Sequence, residues 1–123
     1  GVDALKATPT TALGTVVGIN CSSTGTIVIQ NNVIGGLTSS GTTAAVSGSI
    51  NGINVSGVAT SINISNNTIG NATANNMRGG TLGLTTGSSL VVGINLVSTP
   101  TTAILNNNTL ATFPLMAQEH RDV

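Results

Sequence analysis

The residues able to do acid–base or metal chemistry are few and lie at the two ends of the chain. The acidic residues are Asp3, Glu119 and Asp122, and the single histidine is His120. The tail Glu119-His120-Arg121-Asp122 has the residue types of a metal or acid–base cluster, but four adjacent residues lack the spacing that brings side chains to one point. We therefore interpret the tail as a solvated terminus or the start of a linker, and we predict no catalytic residue, no metal site and no cofactor.

The composition excludes several classes of protein. The chain has 123 residues, a formal net charge of zero and 5% charged residues, against roughly 25% in an ordinary soluble domain. Without a basic patch, nucleic-acid binding is not expected, and no apolar run approaches the roughly 18 residues of a membrane-spanning helix. A mean hydropathy of +0.37 argues against disorder.

Three stretches of the chain share one pattern, which predicts a repeat protein. Each has Gly-Ile-Asn, followed 13 or 14 residues after the glycine by two adjacent asparagines. The repeats cover about residues 16–36, 50–71 and 91–112 of a single 1–123 solenoid segment, in which 1–13 and 113–123 cap the stack or contact a neighbour. The asparagine pairs are Asn31 and Asn32, Asn66 and Asn67, and Asn107 and Asn108.

Each asparagine pair is predicted to form a tight corner between two short strands. Ile27 and Ile29 alternate with polar or outward positions, as in a strand, but Ile34 breaks that parity after Asn31-Asn32. A shift of parity without a long loop needs one residue in a left-handed conformation, which asparagine tolerates well. Equivalent corners stacked on one another would align their asparagine amides as a ladder and bury a column of isoleucines.

The predicted fold is therefore all-β: a right-handed parallel β-helix of about three rungs with excursion loops. Right-handed crossovers prevail in parallel β structure, and helix is disfavoured by the β-branched residues, glycine and asparagine. The connection after the second repeat is the longer one, and we expect Met77 and Arg78 to lie in an exposed loop there. The expected core residues are Ile19, Ile27, Ile29, Ile34, Ile53, Ile62, Ile64, Ile69, Ile94, Leu105 and Leu110. The lone cysteine, Cys21, aligns with Val55 and Leu96 and is expected to be a small apolar core residue.

The pattern Ile-x-Ile-x-Asn-Asn-x-Ile-Gly, with Gly-Ile-Asn upstream, resembles the right-handed parallel β-helix repeats of large secreted bacterial surface and adhesin-like proteins. The asparagine corner is similar to that of pectate lyase-like folds. The resemblance covers roughly Val16 to Thr112 and implies an extracellular or cell-surface location. It is specific for the fold and weak for function, because β-helices carry lyases, adhesins, tailspikes and inert stalks.

Catalysis of the kind found on this fold is not expected within these residues. Glycoside hydrolysis needs paired carboxylates, and between Val16 and Thr112 the only charged residue is Arg78. We expect a non-enzymatic structural segment of an extracellular filament or cell-surface protein. It would stack end to end with another copy or a neighbouring β-helix domain, with Phe113, Leu115 and Met116 as assembly contacts.

Two other functions remain open. The first is an adhesive or carbohydrate-binding β-helix, which the absence of Trp and Tyr disfavours because sugars usually stack on these rings. The second is a fragment of a polysaccharide-degrading enzyme with its catalytic residues elsewhere.

Overall fold

The computed structural model describes residues 5–10, 14–40, 48–72, 76–80 and 89–111. Every regular element in these ranges is a β-strand. The strands form four sheets of three, and every pairing within a sheet is parallel. The chain is thus a parallel β-helix of three rungs, as the sequence predicts, and the right-handed sense of the coil stays a prediction.

The four sheets are named here in the order in which the first rung passes through them. The first sheet contains β2 (Gly14–Cys21), β6 (Gly48–Val55) and β10 (Val91–Leu96). The second contains β3 (Gly25–Gln30), β7 (Ala59–Ser65) and β11 (Thr102–Asn106). The third contains β4 (Val33–Ile34), β8 (Thr68–Ile69) and β12 (Thr109–Leu110). The fourth contains β1 (Leu5–Ala7), β5 (Leu37–Ser39) and β9 (Met77–Gly79).

The register aligns the three repeats residue by residue. Ile29 pairs with Ile64, which in turn pairs with Leu105. Ile34, Ile69 and Leu110 are aligned in the same way, as are Ile19, Ile53 and Ile94. Equivalent apolar side chains therefore lie above one another along the stack, which is how a solenoid builds one core from units that cannot bury an apolar face alone.

The core is complete in the second rung and open in the third. The first- and second-rung isoleucines predicted for the second and third sheets are buried, and Ile53 is buried in the first sheet. Ile19, Ile94 and Cys21 are partly buried and pack against this core. The prediction that Leu105 and Leu110 are buried is wrong, because they are 46% and 50% exposed. Both belong to the last rung, which has a neighbouring rung on one side only among the described strands.

The expectation of an exposed loop at Met77 and Arg78 is also wrong. Both residues lie in β9, where Met77 pairs with Leu37 and Arg78 with Thr38. Met77 is 1% exposed and Arg78 is half-buried. The physical reason is the register, since Met77 occupies the apolar column that Leu5 and Leu37 begin. The remaining parts of the predicted excursions include residues 41–47, 73–75 and 81–88, which lie outside the described residues.

Candidate assembly surface

The first asparagine of each pair makes the corner. Asn31, Asn66 and Asn107 have φ angles of 58°, 57° and 50°, the left-handed conformation expected from the sequence. Their side chains are exposed. Asparagine occupies this region at lower cost than most residues, so the chain reverses its inside–outside alternation within one residue and both flanking strands face one core.

The second asparagine of each pair makes the ladder, with Asn67 at its centre. The Oδ1 atom of Asn67 accepts hydrogen bonds from the Asn32 backbone N–H (3.0 Å) and from Asn32 Nδ2 (2.9 Å). Its own Nδ2 donates to Asn108 Oδ1 (3.0 Å) and to the Ile29 carbonyl (2.9 Å). With 0% of its surface exposed, Asn67 is a buried polar side chain whose donors and acceptor are all used.

The ladder has a direction, which makes its members unequal. Asn108 Oδ1 also accepts from the Asn67 backbone N–H (3.1 Å), and Asn108 Nδ2 donates to the Ile64 carbonyl (2.8 Å). Asn32 Nδ2 donates to the Gln30 carbonyl (3.0 Å) as well as to Asn67. In each link of the ladder, the asparagine Oδ1 of the later rung is the acceptor. It accepts hydrogen bonds from the backbone N–H and the Nδ2 of the asparagine in the rung before it.

A second asparagine ladder, in the first sheet, was not predicted. Asn54 Nδ2 donates to Asn20 Oδ1 (2.7 Å), and Asn95 Nδ2 donates to Asn54 Oδ1 (2.7 Å). The signal was present in the sequence, because these are the asparagines of the three Gly-Ile-Asn triplets. Its donors point toward the first rung, opposite to those of the corner ladder.

The glycine of the same triplet is required by crowding. A Cβ atom on Gly52 would lie 2.5 Å from the Gly93 carbonyl oxygen and 2.6 Å from Ile69 Cγ2. A Cβ on Gly18 would meet the Gly52 oxygen and Ile34 Cγ2, each at 2.6 Å. Real Cβ atoms do not approach this closely, so the first sheet comes near the third-sheet isoleucines only where a side chain is absent.

The third rung presents the exposed edge that could receive a neighbour. All five residues of β11 are exposed, as are both residues of β12. Ile104, at the centre of β11, is 44% exposed and joins Leu105 and Leu110 on this surface. An uncharged edge strand with free hydrogen-bonding groups is a template for pairing with another chain. We call β11 and β12 the third-rung edge.

Several residues singled out from the sequence lie outside the described residues. These are the predicted assembly contacts Phe113, Leu115 and Met116, and the chemistry-bearing residues Asp3, Glu119, His120, Arg121 and Asp122. Within the described ranges, no group of three or more His, Cys, Asp or Glu residues could hold a metal ion. The same part of the chain contains no helix with the length and apolar character needed to cross a membrane.

Comparison with known proteins adds no relative. No protein-family model, no curated protein and no solved structure matches this chain. The parallel sheets and the asparagine ladders are compatible with the β-helix that the repeat motif resembles.

Proposed function

We propose that this chain is a non-enzymatic structural segment of an extracellular filament or a cell-surface, adhesin-like protein, which stacks end to end with another copy or domain. The observation that carries the proposal is the third-rung edge. Leu105 and Leu110 stand in columns whose earlier members are buried, yet they are 46% and 50% exposed. Burying such side chains is favourable at about 25 cal/mol per Å² of apolar surface.

The polar architecture supports the same function. Both ladders repeat the same side-chain bond from rung to rung with 34- to 41-residue separations along the chain. A ladder of this kind continues whenever another rung carries an asparagine at the same place. Zero net charge also removes the repulsion that opposes association of identical chains.

The mass of the purified chain, measured by light scattering over a range of concentrations, tests the proposal. We expect species heavier than the 12.1 kDa chain, with a fraction that rises with concentration. Leu105→Lys should reduce association, because a charge at the third-rung edge would be desolvated in the contact. Val58→Lys is the matched control, since Val58 is 81% exposed and lies just before β7, the middle strand of the same sheet, away from both edge strands.

A monodisperse 12.1 kDa species at every concentration would contradict self-stacking. The location is tested separately, with antibodies against the chain applied to intact cells of its source. We expect labelling of intact cells, and labelling only after permeabilisation would contradict a surface role.

A further inference from the structure

The two ends of the stack differ in how much of their core is exposed. In the first rung, Ile27 and Ile29 are 4% and 7% exposed. The third-rung partner of the Ile29 column, Leu105, is 46% exposed. The core side chains of the second sheet are therefore buried at its first-rung end. At the third-rung edge, the equivalent apolar side chain is exposed.

The free edge of β11 has a defined set of hydrogen-bonding groups. Among the described strands, β11 pairs with β7 only. The Asn66 N–H donates to the Asn106 carbonyl (3.2 Å), so the backbone groups of Asn106 face β7. Because the direction of backbone groups alternates along a strand, Ile104 and Thr102 also face β7, and Ala103 and Leu105 present their N–H and C=O groups to the free edge.

We propose that β11 pairs in antiparallel fashion with β11 of a second copy of this chain, about a two-fold axis at Ile104. The proposal rests on the proposed function, since it assumes that copies associate, and it narrows that association to a pair. Ile104 then lies opposite Ile104 of the second copy as a non-hydrogen-bonded pair, in which the side chains are close together. Ala103 of each copy lies opposite Leu105 of the other, and these two residues exchange both backbone hydrogen bonds.

The side chains suit this register. Ala103 and Leu105 stand in the columns of Ile62 and Ile64, which are buried, so both belong to the core face. The two-fold axis places Ala103 opposite Leu105 of the second copy, a small residue against a large one. On the outer face, Thr102 lies opposite Asn106, so a hydroxyl meets an amide. The strand contains no charge and no proline to oppose the pairing.

A two-fold contact fits the ends of this stack better than a head-to-tail contact. A two-fold interface uses the same patch on both copies, so two open third-rung edges cover each other. In a head-to-tail contact, Leu105 would have to meet the Ile29 column, which is already closed. The expected product is a dimer that cannot grow further through the third-rung edge.

Disulfide trapping tests the two-fold axis. In the full chain with Cys21→Ser, Ile104→Cys places two thiols across the axis. Non-hydrogen-bonded antiparallel pairs have Cα atoms about 4.5 Å apart, within the roughly 4.4–6.8 Å range of disulfides. We expect a covalent dimer to form on the order of 100-fold faster than for Val28→Cys, because association raises the effective thiol concentration. Val28 is the matched control, as it shares the column of Ile104 and is 58% exposed.

Three outcomes separate the inference from the function on which it rests. Rapid Ile104→Cys cross-linking, with a mass that stops at two copies, supports the inference. In the second outcome, the chain associates without this cross-link, and covalent multimers form only when Val28→Cys and Ile104→Cys are combined in one chain. This result shows head-to-tail stacking, which overturns the two-fold axis but agrees with the proposed function. A chain that stays monomeric by light scattering overturns the two-fold contact and also the self-stacking on which it rests.

Discussion

Replacing Asn67 with alanine removes four hydrogen bonds from the buried centre of the corner ladder. Two come from Asn32, one goes to the Ile29 carbonyl and one to Asn108. At about 0.5–1.5 kcal/mol for each bond, the loss of unfolding free energy is about 2–6 kcal/mol. The Asn32 N–H also loses the acceptor that holds the corner of the first rung.

The direction of the ladder predicts that the three asparagines contribute unequally. Asn108→Ala removes three bonds, two of them from Asn67 and one to the Ile64 carbonyl. Asn32→Ala removes only two side-chain bonds and leaves its backbone N–H bonded to Asn67 Oδ1. Because that side chain is also less buried, its loss is about 1 kcal/mol. The expected order of destabilisation is Asn67, then Asn108, then Asn32.

Urea unfolding followed by far-ultraviolet circular dichroism measures this order. The midpoint should fall while the slope stays constant, as expected when stability changes and the exposed surface does not. The measurement is made at a concentration where wild-type and variant chains have the same mass by light scattering. An Asn32→Ala variant as destabilised as Asn67→Ala would refute the reasoning. The loss of unfolding free energy would then not follow the number of hydrogen bonds removed from the ladder.

Three further substitutions are expected to have the following effects. Gly52→Ala should lower the unfolding free energy by about 1–3 kcal/mol through overpacking, and a thermal midpoint equal to that of the wild type would contradict the crowding described above. Ile64→Asp should abolish the β-sheet circular dichroism signal because it buries an unpaired charge, whereas the exposed control Val28→Asp should keep it; a folded Ile64→Asp variant would contradict the assignment of the core. Asn66→Ala should lower the unfolding free energy by roughly 1–2 kcal/mol, because the φ angle at this position is 57°. Asn66→Gly should unfold at a higher urea midpoint than Asn66→Ala, and the reverse order would argue against a left-handed corner.

The features that could be predicted from the sequence are those that recur in all three repeats. Asn31 and Asn32 break the alternation of Ile29 and Ile34, so the corner and its left-handed residue followed from chain geometry. Exposure of Leu105 could not be predicted this way. Alignment places it in the same column as Ile29 but does not reveal that no described strand covers the third rung.

Two other features required coordinates. Met77 follows a connection of different length from the one before Leu37, so its place in the apolar column of the fourth sheet was hidden by unequal spacing. The ladder through Asn54 was visible only as a recurring residue type. Its side-chain hydrogen bonds require the three strands to be in register, which the repeat implies. The sequence does not indicate which amide donates and which accepts.

Residue-resolved hydrogen exchange over a range of protein concentrations tests the central claim most directly, namely a three-rung stack that associates through its third-rung edge. The backbone amides of β7, paired on both sides, should be protected at every concentration. The free-edge amides of Ala103 and Leu105 should exchange rapidly in dilute solution and become protected as concentration rises. Equal exchange of these two amides at all concentrations, or an unprotected β7, would contradict the account.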